Sequence, residues 1–299
     1  MTMSELRTNL TVKAEAERPA LTMRSLIPFF AIAFGLGWGL VALLILFTEQ
    51  VEAVFGPVSG TNPLFILAVY SPAIAGVALV WRHYGLRGLG SFFRRITLWR
   101  MAIGWWLFLL IGIPAVKYIG AAINGTIDDT FPFSPWYAVL PAMLAMFLIG
   151  PVEELGWRGV ALPLLQRRFA PLWAGLILGT AWGLWHFPAF LLSGTPQSAW
   201  SFGPYWIGVL VLSVIVTPMF NASSGSILIP MLFHFQMNNP LWPEAQPWEN
   251  YLFLIAAIVI VIICRRSMLH RDGAVTEVLM PADNRTSPEL HIAARGSAA

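Results

Sequence analysis

The stretch Tyr137-Ala-Val-Leu-Pro-Ala-Met-Leu-Ala-Met-Phe-Leu-Ile-Gly150-Pro-Val-Glu153-Glu154-Leu-Gly-Trp157-Arg158-Gly159 decides the fold. It opens as an apolar run near the ~20-residue length that spans a bilayer, and it closes on two carboxylates and an arginine. Ionisable side chains at membrane depth are costly and usually functional. On a helix, Glu154 and Arg158 are i,i+4 neighbours and can pair, while Glu153 points about 100° away around the axis. One carboxylate is then neutralised and its neighbour is left free.

The rest of the chain shares this apolar character. Of 299 residues, 57% are hydrophobic and 11% charged, against a charged share of about 25% in soluble domains. Such a composition describes a membrane protein and offers nothing to a nucleic acid. The single cysteine, Cys264, excludes an intramolecular disulfide and a cysteine-rich metal cluster, and reads as a small apolar filler. Residues 1–24 are mixed-charge without an apolar period and read as a disordered cytoplasmic tail. The first apolar run after them is long enough to span, so it reads as a retained helix and not a cleaved signal peptide.

Eight apolar runs approach spanning length, at about 26–47, 64–81, 101–122, 137–155, 172–192, 205–221, 226–240 and 250–264. The seventh is short. Between the fourth and fifth, Arg158 to Arg168 mixes apolar and basic positions and predicts an amphipathic helix lying in the interface. Residues 271–299 read as a second disordered cytoplasmic tail. The expected architecture is all-α: one polytopic bundle over residues 25–270, with a functional core at about 140–240.

The loops support the count of eight, because Lys and Arg favour the cytoplasmic side. Arg82, Arg87, Arg94, Arg95 and Arg100, then Arg158, Arg167 and Arg168, then Arg265, Arg266 and Arg271 all fall on one side. The opposite connections carry Glu49 and Glu52, Asp128 and Asp129, and Glu244 and Glu249; the nearby cation, Lys117, reads as snorkelling outward. Both termini are then cytoplasmic.

Five ionisable residues remain at bilayer depth: Glu153, Glu154, Arg158, His186 and His234. His186 follows Trp182 by four residues, and Asn238 follows His234 by four, so each pair shares a helical face. Lipid solvates all of these groups poorly, and the simplest packing brings the faces together. Glu153, His186 and His234 suit a catalytic divalent metal, zinc above all, with water in the fourth position. Alternatively, Glu153 acts as general base on a water held by His186 with no metal. Asn238 suits the oxyanion of a tetrahedral intermediate, and Glu154 with Arg158 suits an orienting role.

Each residue also has a plainer reading. A lone transmembrane histidine is commonly a hydrogen-bonding link between helices; two of them beside a free carboxylate tilt the balance toward chemistry. Glu154 and Arg158 read equally well as a helix-end ion pair, and Asn238 as a partner for neighbouring backbone. Trp173, Trp182 and Trp185 read first as packing and interface anchors. Intramembrane Glu and His also build proton relays, so a proton-coupled transporter is an alternative, as is an immunity or scaffold protein acting by binding alone. No inverted repeat with paired broken helices supports the transporter.

Three motifs, Glu153-Glu154-Leu-Gly-Trp-Arg158, Trp182-Gly-Leu-Trp-His186 and His234-Phe-Gln-Met-Asn238, occur in this order. Together they resemble the CPBP intramembrane proteases, the type II CAAX prenyl endopeptidase or Abi (bacteriocin-processing) family, over about residues 140–240. One departure is Trp182, where that family's second motif most often has Phe. The resemblance implies a cleft in an eight-helix bundle that cleaves a peptide or lipidated protein substrate, in some members after a prenylated cysteine. It implies that Glu153 activates water, that His186 and His234 bind a metal or hold the water, and that Asn238 supports the oxyanion. The Trp-Arg-Gly and Trp-His-Phe-Pro text points to a bacterial inner membrane. One tension remains in the helix count: Glu153 falls near the cytoplasmic end of the fourth run, whereas His186 lies about 14 residues into the next, some 20 Å deep at ~1.5 Å per residue.

Overall fold

A computed structural model describes residues 20–128 and 133–280. Among them every regular element is helical. In chain order these are α1 (Leu26–Leu46), α2 (Thr48–Phe55), α3 (Pro63–Val69), α4 (Ser71–Phe93), α5 (Ile103–Asn124), α6 (Trp136–Gln166), α7 (Pro171–Trp185), α8 (Phe202–Ala222), α9 (Leu228–Met237), α10 (Trp248–Ile263) and α11 (Arg265–Leu269). Five helices are long and apolar enough to span; α3 and α4 add a sixth span bent by 54°, and α9 and α10 are shorter apolar helices. Each of the eight expected runs therefore has its helix or bent helix pair. The chain is an integral, multi-pass membrane protein.

Side chains on the outer faces follow the helical period. Leu140, Leu144 and Leu148 of α6 are 63%, 61% and 52% exposed, and Ile255, Ile258 and Ile262 form a similar stripe on α10. Residues at i, i+4 and i+8 share one face, so these stripes face lipid. The inner faces hold together through polar contacts that lipid cannot supply. Ser71 Oγ donates to the Ala33 carbonyl at 2.8 Å, tying α4 to α1, and Ser213 Oγ donates to the Gly175 carbonyl at 2.9 Å, tying α8 to α7. Asn62 caps α3, its side chain accepting from the Leu64 N–H at 3.1 Å with Pro63 in the first helical position. Where α4 crosses α6, the Pro72 carbonyl lies against Gly156 so closely that a Cβ there would collide with it.

The fourth span departs from the expected outline. Instead of ending near residue 155 and continuing as an interfacial helix, α6 runs 31 residues to Gln166, and Trp157 through Gln166 are all buried. An amphipathic interfacial helix needs a polar face in water, yet Arg158 is 0% exposed. Its charge is paired inside the bundle with Glu154 through Nη1, while Nε and Nη2 have no hydrogen-bond partner among the described residues, so the mixed pattern of 158–168 does not mark an interface. Glu153 consequently lies about 13 residues, or roughly 20 Å, from the α6–α7 turn, and His186 about 22 Å from it along α7. The two groups reach similar depth on antiparallel neighbours, which removes the tension in the helix count.

Three further expectations are corrected. Lys117 does not snorkel outward: it is 8% exposed and pairs with Glu249 Oε2 at 2.5 Å. Arg95, placed in a cytoplasmic loop by the sequence, is buried and donates to the carbonyls of Gly225, Gly159 and Val278 at 2.7–2.8 Å. Residues 271–280, expected within a disordered tail, pack back on the bundle: Gln166 Nε2 donates to the Val275 carbonyl, Arg167 Nε to that of Thr276, and Val278 is buried. The remainder of that expected tail, and residues 1–19 of the first, lie outside the described residues; of the N-terminal tail's last residues, Leu21 is fully buried.

Candidate active site

The acidic pair sits where α6 is least regular. Pro151 has no N–H to donate, and the helix passes through a 3-10 turn at Pro151–Glu153 and a π segment at Trp157–Ala161. Such interruptions recur at functional sites because they redirect side chains. On one side of this segment, Glu154 faces Arg158, whose Nη1 lies 3.0 Å from both carboxylate oxygens. The i,i+4 pair expected from the sequence is therefore formed, and both members are buried.

Glu154 does more than neutralise Arg158. Its Oε1 also lies 2.9 Å from His234 Nδ1. A carboxylate accepts, so Nδ1 carries a proton, and the neutral imidazole then presents its lone pair at Nε2. His186 is fixed the same way, with Nδ1 2.8 Å from the Trp182 carbonyl, which also only accepts. Both imidazoles thus turn Nε2 away from their anchors. This is the arrangement that orients a histidine toward a water or a metal.

Among the described residues Glu153 has no salt-bridge partner. It is 3% exposed, and its Oε2 accepts from two indoles, Trp182 Nε1 at 2.9 Å and Trp157 Nε1 at 3.2 Å. Oε1 accepts no hydrogen bond from the described residues. Burial without a counter-charge leaves a carboxylate dependent on such donors.

Trp182 joins these groups into one cluster. Its ring centroid is 5.9 Å from that of His186 and 5.4 Å from that of His234, and the Arg158 guanidinium lies over it at 4.4 Å. The sequence reading of Trp182 as packing was incomplete, because indole is both an apolar surface and a hydrogen-bond donor. Trp157, one helical turn from Glu153, was legible as an i,i+4 partner. Tyr205 of α8 also borders the site, its ring 5.3 Å from that of His186; its separation in sequence from every motif gave no signal.

Asn238 ends α9 and is exposed, and its side chain makes no hydrogen bond to the described residues. Its position is defined by Gly150. A Cβ built there would stand 2.5 Å from Asn238 Nδ2 and 3.1 Å from His234 Nε2. The bare glycine backbone thus floors a space beside both groups.

Among the described residues, no three His, Cys, Asp or Glu side chains converge closely enough to hold a metal ion. Glu153, His186 and His234, the expected ligand set, do not form such a group in this geometry, although each histidine is anchored through Nδ1 with Nε2 turned away from its anchor. What the arrangement does provide, among the described residues, is a buried carboxylate with one oxygen that takes no hydrogen bond, two imidazoles and, at the exposed edge of the site, an amide donor.

Comparison with known proteins falls on this part of the chain. Residues 135–239 match the family described as type II CAAX prenyl endopeptidase Rce1-like. A curated protein of Methanococcus maripaludis, CAAX prenyl protease 2, is 30% identical over 167 residues, covering 52% of this chain and 60% of that protein. The matched region spans less than two thirds of the relative's length. Glu153, Glu154, Arg158, His186, His234 and Asn238 all lie within residues 135–239.

Proposed function

We propose that this chain, Rce1-like over residues 135–239, is a membrane-embedded endopeptidase that hydrolyses peptide bonds of lipidated, CAAX-type substrates with water activated by Glu153. The substrate class is taken from the name of the similar M. maripaludis protein. The observation that carries the reading is the division between the two carboxylates: Glu154 is shared by Arg158 and His234, whereas Glu153 Oε1 takes no hydrogen bond from the described residues.

In this mechanism a water beside Oε1 is held by the lone pair of His186 Nε2. Glu153 takes one proton as the water oxygen bonds to the scissile carbonyl carbon. The resulting oxyanion accepts from the Asn238 amide. Collapse restores the carbonyl and breaks the C–N bond, and the proton on Glu153 passes to the leaving amine. Glu154 and Arg158 act through His234, which they orient. No step passes through a metal, because the donors do not converge as a metal site. The reading also takes the membrane as a bacterial inner one with both termini cytoplasmic; the orientation is supported by the arginines that stay exposed on one side, among them Arg94, Arg100, Arg168, Arg265 and Arg271.

The test is purified protein in detergent with a panel of plain and farnesylated or geranylgeranylated CAAX peptides, products read by mass spectrometry. The expected result is cleavage after the prenylated cysteine, abolished by Glu153→Ala and by His186→Ala. Cleavage that survives both substitutions, or none of any peptide by the wild type, overturns the reading.

A further inference from the structure

The site holds two groups that the hydrolytic scheme leaves unused, the indoles of Trp157 and Trp182. They reach the same oxygen from different directions, Trp157 from one turn along α6 and Trp182 across from α7. Each carboxylate oxygen has two lone-pair sites, and here both sites of Oε2 are occupied. A water or a proton is thereby directed to Oε1. We infer that Trp157 and Trp182 are positioning residues that fix the rotamer of Glu153 and reserve Oε1 for the attacking water.

Indole suits this task for reasons visible in the site. Its N–H donates and never accepts, so it holds an anion without competing for the proton that Glu153 must carry. Its faces are apolar and bring no water to the buried carboxylate. Trp182 is 4% and Trp157 0% exposed, so neither N–H has water as an alternative partner. The surrounding packing locks both rings: Trp157 stacks edge-on against Phe29 and Trp185 at centroid distances of 5.5 and 6.0 Å, and Trp182 lies beneath the Arg158 guanidinium. The Trp182 bond, which crosses from α7 to Glu153 on α6, also ties the two helices together one turn from His186. A phenylalanine at either position keeps an aromatic ring but removes the N–H together with the second ring of the indole.

The inference rests on Glu153 as the base, so its test has one arm that needs no turnover. In protein labelled with nitrogen-15 tryptophan, the indole signals of Trp157, Trp182 and Trp185 are assigned from the Trp157→Phe, Trp182→Phe and Trp185→Phe spectra. Glu153→Gln should move the Trp157 and Trp182 indole protons upfield, as charge-assisted bonds become neutral ones. Trp185, which donates to the Ala33 carbonyl and Ser71 Oγ instead, should stay in place. In the kinetic arm, Trp182→Phe should lower kcat about 10- to 100-fold, the factor of one hydrogen bond to a charged group, with KM within about twofold of wild type. Trp157→Phe, with the longer bond, should lower kcat less.

Indole signals that ignore Glu153→Gln overturn the geometry. A kcat unchanged in both variants, or an effect confined to KM, overturns the positioning role. If Trp182→Phe does not fold, Trp157→Phe carries the kinetic arm and the Glu153→Gln spectrum stands independently. A wild type without peptidase activity would instead defeat the proposed function while leaving the spectral result to stand or fall by itself.

Discussion

Gly150→Ala separates folding from chemistry at this site. Gly150 has φ −69° and ψ −55°, ordinary right-handed helical values that alanine adopts without strain. Alanine is better than glycine in a helix by about 1 kcal/mol, part of which is offset because Pro151 disfavours the helical region for the residue before it. The backbone balance is therefore near zero. The added methyl, however, stands 2.5 Å from Asn238 Nδ2, about 1 Å inside a normal contact. Asn238 is exposed and free to rotate away, so the clash is relieved at little cost in stability. His234 Nε2, at 3.1 Å, has less freedom because Glu154 anchors its other nitrogen at 2.9 Å. The expected outcome is a melting temperature in detergent within a few degrees of wild type and a kcat reduced about 10²- to 10³-fold, the loss that follows removal of one oxyanion donor. Asn238→Ala should lose a similar amount, and the double variant no more than the larger single loss. A Gly150→Ala protein with wild-type kcat, or one that loses both stability and activity, would refute this reasoning.

Other substitutions test the supporting structure. Arg158→Met should destabilise the protein by about 3 kcal/mol by leaving Glu154 buried without its cation and held by His234 Nδ1 alone, read as a lowered unfolding midpoint, while Glu154→Gln combined with Arg158→Met should recover part of that loss. Arg95→Met removes the three carbonyl contacts to Gly159, Gly225 and Val278; faster amide hydrogen exchange across residues 271–280 should follow, with α7 and α8 unchanged. Treatment with a strong divalent-metal chelator should leave peptide cleavage within about twofold of the untreated rate, and metal analysis of active protein should find well below one zinc per chain.

Much of the fold was legible because a bilayer imposes its own arithmetic. Apolar runs of spanning length became helices, and the i,i+4 spacing of Glu154 and Arg158 became an ion pair with Nη1 3.0 Å from the carboxylate. What escaped was where that arithmetic is interrupted. The basic positions of 158–168 resemble an interfacial face, but whether an arginine lies in water or inside depends on its partner, and Glu154 supplies one. Arg95 was misplaced for the same reason, its partners being carbonyls that no side-chain pattern encodes. The packing of residues 271–280 depends on those carbonyls too. At the site, the grouping of Glu153, His186 and His234 on separate helices was suggested by their shared aversion to lipid. Among the described residues the three do not form a metal-ligand group; each has a different anchor, two indoles, a backbone carbonyl and Glu154, which no side-chain spacing encodes. Trp182 was underread since periodicity counts an indole as apolar and is blind to its N–H.

The central claim is that Glu153, and not Glu154 or a metal, activates the water. The most direct test is turnover of a prenylated CAAX peptide by chelator-treated wild type and Glu153→Gln protein in the same proteoliposomes. The substitution keeps size and a hydrogen-bonding oxygen but removes the base, so the account predicts a loss of about 10²- to 10⁴-fold in kcat with the protein still folded. Turnover by Glu153→Gln within a few-fold of wild type, or wild-type activity that vanishes on chelation and returns with zinc, would contradict it.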